Sequence, residues 1–367
     1  MRSTVTTNRY RAVFLLVITL IAPACGSLSD EKRWVRQVEF NSSGDLLLST
    51  FELGPDGYLA SFDAEIKKQR FSFGYAGAGR QGLDVSNEGQ VGAVVSGTSV
   101  IVFDTQLGSW TFRLGPRELD FYSDLAGLVV DDVEVSPNGH YVAVVSTEHA
   151  GPPALGSSSQ SQISIFRTAT RERLWQRSYQ IRNLGPTFAA DSQRLTLETS
   201  TSVDSAFEIV EVETGLSVRT FSIASTNVPF AISDGQSVLL GFRRGPSGLE
   251  RFPTLWSATD GALIQQYSFL GDECTTVGFV LAVSRDAQLF ASESYSACGE
   301  LAGKREVVVW NRQGQVLHRF PAQHVSSLAF SPDNSKLAVG MVADGAAVYQ
   351  LSDGVRIGHR TFTEKLF

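Results

Sequence analysis

A short pattern of apolar and polar residues recurs seven times along the chain. Each copy has an apolar residue, a small or polar pair, then Asp, Asn, Ser, Glu or Gly, and then an apolar segment of strand length. Helical i, i+3, i+4 striping is almost absent, and a period of this size predicts repeats that are each a sheet of four short strands. The copies begin at Phe40 (FNSSGDLLLS), Val85 (VSNEGQVGAVV), Val135 (VSPNGHYVAVV), Phe188 (FAADSQRLTLE), Ala231 (AISDGQSVLLG), Val283 (VSRDAQLFAS) and Phe330 (FSPDNSKLAVG).

A second recurring feature lies near the predicted third strand of every repeat, where an aromatic residue or valine precedes a polar turn. The positions are Phe62, Phe103, Phe166, Val210, Trp256, Trp310 and Tyr349. Together the two features resemble the turns of WD-repeat blades, although the Gly-His dipeptide is missing and only Asp63 and Asp104 retain the aspartate. The resemblance covers roughly residues 34–362 and implies an all-β, seven-bladed β-propeller of four-stranded antiparallel blades.

The predicted second strands are the most apolar segments of the repeats, as in LLLSTF and YVAVVS. They lack the alternation of a half-exposed strand, so both of their faces must be covered. This favours blades packed between neighbours over one open sheet. We predict a single propeller domain over residues 34–367, in which the last repeat has its own outer strand, starting at Val355; whether the ring closes by strand exchange stays open.

The N-terminal segment has the features of an export signal. Arg2, Arg9 and Arg11 precede an eleven-residue apolar run from Ala12 to Ala22. Eleven apolar residues are too few to span a bilayer as a stable helix. We therefore predict a cleaved signal peptide over residues 1–24.

The residues around the predicted cleavage site resemble the bacterial lipobox, in which a cysteine thiol is diacylated. Small Ala24 directly precedes Cys25, although Pro23 is unusual for that motif. Each buried methylene contributes about 0.8 kcal/mol, so two or three acyl chains would anchor the protein stably. The A-x-A tripeptide before Cys25 also fits ordinary secretion, which leaves a soluble periplasmic protein as the alternative.

Residues 25–33 are polar and predict a short tether between lipid and propeller. Gly26 stands where inner-membrane retention of Gram-negative lipoproteins requires aspartate, so the resemblance favours the outer membrane. Removal of residues 1–24, which hold three arginines and no acidic residue, takes the formal net charge from −7 to −10. Because nucleic-acid binding needs a basic surface to neutralise phosphates, we predict no nucleic-acid partner.

Two cysteines remain after Cys25, the even number that an oxidising compartment favours. In the predicted register Cys274 lies between blades five and six, and Cys298 lies between the second and third strands of blade six. Connections of these two kinds emerge on the same face of a propeller, so we predict a disulfide between the two cysteines. Closing this loop would stabilise the fold by about 3 kcal/mol; two free thiols are the alternative.

Acidic residues recur on the predicted innermost strands of the first three blades. Glu39, Asp84 and Glu134 each directly precede the turn pattern, and Asp132 lies two residues before Glu134 on the same side of its strand. Three neighbouring blades would place these carboxylates near the central channel. There they would raise one another's pKa or bind a cation or basic ligand. In the alternative interpretation each carboxylate is hydrogen-bonded at a blade seam or solvated by channel water.

The sequence predicts no catalytic residues, no metal site within one segment and no cofactor. Its five histidines are scattered without H-x-x-x-H spacing, and there is no C-x-x-C pair or D-x-D-x-D-G loop. Quinoprotein dehydrogenases and propeller lactonases are the enzyme alternatives. ATRERLW, ending at Trp175, resembles the tryptophan-docking turn of quinoprotein blades but occurs once, and the acidic cluster matches the calcium ligands of lactonases only in part.

Four long connections, at residues 115–127, 148–162, 243–253 and 293–306, fall on one face in the predicted register. Long loops on a rigid scaffold are where binding is usually found. We therefore expect an envelope scaffold or adaptor that binds a protein or another envelope macromolecule through one face. A ligand- or cation-binding propeller, possibly enzymatic, with its site at the central channel, is the alternative.

Overall fold

Residues 33–361 form one compact unit in a computed structural model of the chain. The structure describes residues 34–53, 56–76, 82–86, 90–119, 127–149, 160–179, 185–200, 205–223, 231–233, 238–244, 251–268, 275–296, 304–342 and 344–361. Within these ranges the chain forms strands and turns but no helix. The predicted tether and lipidation site at Cys25 lie outside the described residues, as do Cys274 and Cys298.

Each blade is a sheet of four consecutive antiparallel strands, paired in chain order, so that blade one is β1 to β4 and blade seven is β25 to β28. The first strands surround the axis. They are β1 Trp34–Phe40, β5 Leu83–Val85, β9 Gly127–Val135, β13 Thr187–Phe188, β17 Ala231–Ile232, β21 Thr275–Val283 and β25 Val325–Phe330. The second strands are β2 Leu46–Leu53, β6 Val91–Ser96, β10 Tyr141–His149, β14 Arg194–Ser200, β18 Val238–Arg244, β22 Leu289–Ser296 and β26 Lys336–Met341.

The third and fourth strands of each blade lie progressively farther from the axis. The third strands are β3 Asp56–Asp63, β7 Ser99–Asp104, β11 Gln160–Arg167, β15 Ser205–Glu211, β19 Arg251–Ser257, β23 Arg305–Asn311 and β27 Gly345–Gln350. The outer strands are β4 Gln69–Ala76, β8 Trp110–Leu114, β12 Arg173–Tyr179, β16 Ser217–Ile223, β20 Leu263–Gln266, β24 Val316–Pro321 and β28 Arg356–Arg360. The predicted fold, seven four-stranded blades, is therefore confirmed.

The apolar core lies in the seams between blades. The predicted third-strand residues all take the penultimate position of their strands and are at most 6% exposed. Phe103, for example, is fully buried between blades one and two with Leu48, Leu59 and Ile101. A Cβ on Gly92 would lie 2.4 Å from the Phe103 ring, so glycine is needed there to admit the aromatic side chain. Burying such a side chain contributes roughly 1.5–3 kcal/mol.

A buried polar side chain organises the turn between the first and second strands in six of the seven blades. In blade seven Ser331 Oγ accepts a hydrogen bond from Lys336 N at 2.9 Å and donates one to Asp333 at 2.6 Å. The partial burial of Asp333 acts to raise its pKa, but the hydrogen bonds from Ser331 and Ser335 outweigh it and hold the pKa at about 2. In the other blades, the residues whose side chains likewise accept the backbone amide at the start of the second strand are Asn41, Ser86, Ser136, Ser233 and Ser284. Blade four has Ala189 at this position.

At the rim, successive blades are joined by a ring docked on a tight turn. Trp175 on β12 lies against Gly215, in the turn between the third and fourth strands of blade four, and donates its indole N–H to Val212 O at 2.6 Å. A Cβ on Gly215, at φ +65°, would lie 2.8 Å from the indole ring. The same contact joins Phe71 to Gly108, Phe221 to Gly261, Tyr267 to Gly314 and His318 to Gly354. Blade three has Arg171 at this turn position, with its guanidinium 5.3 Å from the Phe112 ring centroid.

This rim contact explains the role of the tryptophan at the end of the single ATRERLW segment. Tryptophan occurs once in this role, at Trp175, but phenylalanine, tyrosine and histidine make the same ring-on-glycine contact in other blades, two residues farther along the outer segment for Phe221 and Tyr267. Tyr267 donates its hydroxyl to Arg312 O at 3.1 Å, and His318 Nε2 lies 2.7 Å from Leu351 O. The docking geometry is therefore repeated although its sequence signature is not.

The ring closes without strand exchange among the described residues. Blade one has its own first strand and blade seven its own outer strand, as expected from the sequence starting at Val355. At the closing seam Val38 N donates to Ser327 Oγ at 3.0 Å, and the Arg360 guanidinium lies 5.0 Å from the Phe62 ring centroid. Side-chain contacts thus replace the shared sheet.

The two ends of the blades differ. Turns from first to second strand and from third to fourth strand emerge on one side, which we call the turn face. Connections from second to third strand and between blades emerge on the other side, the loop face. The four long connections all join strand ends at the loop face, although most of their residues lie outside the described ranges.

Candidate functional site

A central cavity of about 260 Å³ lies at the turn-face end of the axis. The inner strands of all seven blades contribute to its wall, and residues of the adjoining turns, Pro137, Arg285 and Pro332, contribute to its mouth. The cavity is thus built where inner strands of neighbouring blades contact one another.

Three of the four predicted channel carboxylates line this cavity: Glu39, Asp84 and Glu134. Asp132 does not. A Cβ on Gly82 would lie 2.7 Å from Asp132 Oδ1, and one on Gly185 would lie 1.9 Å from Asp132 Oδ2. These glycines come just before the inner strands of blades two and four, so Asp132 lies towards the loop face. The structure therefore brings three of the acids together and separates the fourth from them.

Two of the cavity carboxylates connect the inner strands of neighbouring blades. Asp84 Oδ2 accepts a hydrogen bond from Val135 N at 2.6 Å, and Glu134 Oε1 accepts one from Phe188 N at 3.0 Å. Both contacts match the alternative interpretation of the sequence, in which each carboxylate is hydrogen-bonded at the seam between two blades. Innermost strands have one edge without a strand partner in their own sheet, and a carboxylate from the preceding blade supplies an acceptor for a backbone amide there.

The carboxylates of the cavity are confined to one side of its wall. Blades one to three contribute them, whereas the later blades contribute Thr187 and apolar residues such as Ile232, Ala282 and Leu328. Arg285 adds a cation at the mouth. Among the described residues no three His, Cys, Asp or Glu side chains are grouped so as to hold a metal ion.

Large apolar side chains are exposed around the outer hairpins of the turn face. Most of them occupy the first three positions after the turn glycine of their blade, so they share a register that sequence analysis did not identify. The signal that would have revealed all of them except Leu107 is a large apolar residue within three positions after the turn glycine. This set, which we call the apolar rim, comprises Leu107, Trp110, Leu216, Val218, Leu263, Ile264, Leu317 and Val355, with exposures of 42–75%.

The strands flanking Cys274 and Cys298 are placed as the sequence analysis expected. Cys274 directly precedes Thr275, and Cys298 follows Ser296 by two residues. Thr275 and Ser296 are paired across β21 and β22. Both cysteines lie outside the described residues, so the disulfide stays a prediction.

None of the described segments forms a helix long and apolar enough to cross a membrane. Lipid attachment at Cys25 stays a prediction, because Cys25 also lies outside the described ranges.

No protein-family model and no curated protein matches the sequence. Solved structures do. The β-propeller domain of Cps50 (Swd1) from Myceliophteria thermophila superposes with a TM-score of 0.59 at 17% identity, covering 84% of this chain and 94% of that one. Hydrazine synthase of Kuenenia stuttgartiensis superposes with a TM-score of 0.61 at 14% identity, covering 89% of this chain and 98% of that one.

The chain is a seven-bladed β-propeller. At these identities the two structures establish the fold and nothing finer, since one architecture supports many functions. One of the two proteins is named as an enzyme and the other as a propeller domain. The function of this chain therefore depends on its own residues.

Proposed function

We propose that this protein is a non-catalytic scaffold of the bacterial cell envelope, anchored by lipid at Cys25, that binds another protein. The observation that carries the proposal is the apolar rim. Its eight side chains stay exposed in a molecule whose blade seams are otherwise closely packed. Exposed apolar side chains that recur in one register favour a protein-interaction surface.

The apolar rim also lies on a scaffold suited to binding. In the blades that contribute to it, the outer hairpin is packed against a ring of the preceding blade, so the exposed side chains are ordered before a partner arrives. Preordered side chains lose little conformational entropy on binding. Burying a Leu or Val side chain that is exposed in the free protein contributes roughly 1.5–3 kcal/mol at most, so several rim residues together would sustain specific binding.

The envelope location rests on the sequence. The export signal, the Ala24-Cys25 junction and the polar tether support an anchored protein. We expect Cys25→Ala to move the protein from the membrane to the soluble fraction of fractionated cells. Unchanged membrane association of Cys25→Ala would contradict lipid anchoring at this residue, without bearing on protein binding.

Site-specific photocrosslinking in intact envelopes tests the scaffold function. A photoreactive amino acid at Leu216, which is 63% exposed on the rim, should give an adduct with one defined protein, identified by mass spectrometry. The same group at Lys67, on the outer hairpin of blade one, is the matched control, because blade one contributes no described residue to the rim. Equal adducts at both positions, or none at Leu216, would contradict a rim-mediated scaffold.

A ligand- or cation-binding propeller is the second candidate, and the central cavity with its three carboxylates favours it. Any ligand that binds only the folded state must raise the melting temperature. Calcium, magnesium and spermine are suitable probes. A rise that is lost in Asp84→Asn would support cavity binding; unchanged melting with all three would leave Asp84 and Glu134 as seam acceptors.

A further inference from the structure

The apolar rim is densest on two neighbouring blades. Four of its eight side chains lie on the outer hairpins of blades four and five, whereas the other four are divided among blades two, six and seven. The two hairpins are joined, because Arg219 Nη1 donates to Thr259 O at 2.8 Å and Phe221 packs on Gly261. This part of the rim, which we call the four–five patch, comprises Leu216, Val218, Leu263 and Ile264, with exposures of 63%, 56%, 52% and 42%.

The four–five patch is bordered by negative charge. The outer hairpins that carry it, residues 211–223 and 257–268, contain three acidic residues and one arginine. The corresponding hairpins of blades six and seven, residues 311–321 and 350–361, contain four arginines and one acidic residue. The charge around the apolar rim therefore changes from negative at blades four and five to positive at blades six and seven.

Two of the acidic residues, Glu211 and Asp260, are exposed in the turns of these hairpins. A hydrogen bond from Ser257 lowers the pKa of Asp260 below its ordinary value, so this carboxylate is charged at neutral pH. The third acidic residue, Glu213, forms an ion pair with Arg167 at 2.7 Å. The four–five patch thus presents apolar side chains beside exposed carboxylates.

The predicted lipid anchor excludes the anchoring membrane as the occupant of this patch. Trp34 begins β1 at the loop face, because the turn from β1 to β2 lies on the turn face. The nine residues 25–33 can span at most about 31 Å. A path from Trp34 around the outside of blade one to the turn face crosses three strand spacings and follows the eight residues of β4, roughly 40 Å in all. The tether is therefore too short for the turn face to lie on that membrane, and blades four and five are opposite blade one in the ring.

We propose that the four–five patch binds a protein surface on which apolar side chains are flanked by lysine or arginine, on the side of the propeller away from the anchoring membrane. This rests on the proposed scaffold function and specifies which part of the apolar rim binds and the charge of its partner. Burial of the apolar side chains would supply most of the affinity. Opposite charges at the border of an interface accelerate association and exclude partners of the wrong charge.

Charge reversal combined with photocrosslinking at Leu216 tests this chemistry. Asp260→Lys should lower the yield of the Leu216 adduct in intact envelopes about tenfold, because a like charge then faces the cations of the partner. Asp353→Lys is the matched control. Both aspartates are exposed, directly precede their turn glycine and accept a hydrogen bond from the amide two residues on, at 3.1 Å for Asp260 and 3.0 Å for Asp353. The control loses the same turn contact in blade seven, so it should melt at the same temperature as Asp260→Lys but leave the adduct yield unchanged.

Glu211→Lys reverses a second charge on the neighbouring hairpin and should also lower the yield. In isolated envelopes the yield should fall as sodium chloride is raised, because salt screens exposed charges. Undiminished yield in both Asp260→Lys and Glu211→Lys, or an equal loss in Asp353→Lys, would overturn the proposal and leave the scaffold function standing. A Leu216 adduct with lipid or with a second copy of this chain would also overturn it. Absence of any adduct at Leu216 in the otherwise unaltered protein would contradict the scaffold function itself.

Discussion

The centre and the rim of the propeller join neighbouring blades by different physical means. At the centre, the carboxylates of Asp84 and Glu134 accept hydrogen bonds from backbone amides of the next blade. At the rim, rings such as Trp175 and Tyr267 pack on a left-handed turn glycine of the next blade. The joining of blades at the centre therefore depends on a particular oxygen acceptor, whereas at the rim it depends on shape and tolerates several ring types.

The rim contact at Trp175 should have the largest energetic effect. Trp175→Ala removes the ring that packs on Gly215 together with the hydrogen bond to Val212 O, so we expect a loss of about 3 kcal/mol in the free energy of unfolding. Denaturant titration measures it. Leu107→Ala is the control, because Leu107 is 75% exposed, and it should cost less than about 1 kcal/mol. Similar costs for the two variants would mean that docking adds nothing to the seam.

The acceptor at the centre should be the next most sensitive. Glu134→Ala leaves the Phe188 amide without its partner, and we expect a loss of about 2 kcal/mol. Glu134→Gln keeps an oxygen acceptor and should cost about 0.5 kcal/mol or less, in the same denaturant titration. If alanine were tolerated as well as glutamine, the hydrogen bond to Phe188 would not stabilise the centre.

Acid should weaken the turns at the mouth of the cavity. The pKa of Asp333 is about 2 in the folded protein, below its ordinary value of 3.8. Its contribution is therefore present above pH 4 and is lost as the pH falls from about 4 towards 2. Because Asp333 is exposed, solvent screening reduces the contribution to about 1 kcal/mol.

The corresponding measurement compares Asp333→Asn with the wild type by unfolding at several pH values. The variant should be less stable near neutrality, and the difference should shrink in this acidic window. A constant difference across the window would show that the carboxylate charge of Asp333 does not contribute.

The smallest effect should come from the hydroxyl at the rim. Tyr267→Phe keeps the ring on Gly314 but removes the bond to Arg312 O, which should cost roughly 1 kcal/mol or less. Burial raises the pKa of Tyr267 to about 12, so its contribution should be lost as the pH rises from about 10 to 12. Absorbance of tyrosinate checks this titration. A larger cost for Tyr267→Phe than for Trp175→Ala would reverse the interpretation that shape dominates the rim.

The order of the strands could be predicted from local residues. The turn pattern at Ser331 to Lys336 and the buried third-strand position of Trp310 each report a local conformation, and their repetition defines the blades. Serine at the second position of four copies, and at the third position of the copy that begins at Ala231, was a further signal, because its hydroxyl accepts a hydrogen bond from the backbone amide that starts the second strand. Sequence analysis described this position only as small or polar.

The carboxylates show where local inference stops. Their places on inner strands predicted that Glu39, Asp84 and Glu134 lie near the channel, and all three line the central cavity. The strand alternation that groups Asp132 with Glu134 does not specify depth along the axis, and Asp132 lies towards the loop face. Which backbone amide donates a hydrogen bond to each carboxylate depends on the stagger between neighbouring blades. No pattern in the sequence reports that stagger.

The number of blades, their strand order and the turn positions could be inferred from the sequence alone, because they follow from alternation and turn chemistry within a few neighbouring residues. What joins the blades is visible only in the folded ring: carboxylates at the centre, docked rings at the rim, and side-chain contacts at the closing seam. These features depend on contacts between residues tens of positions apart, whose geometry is set only when the ring is packed.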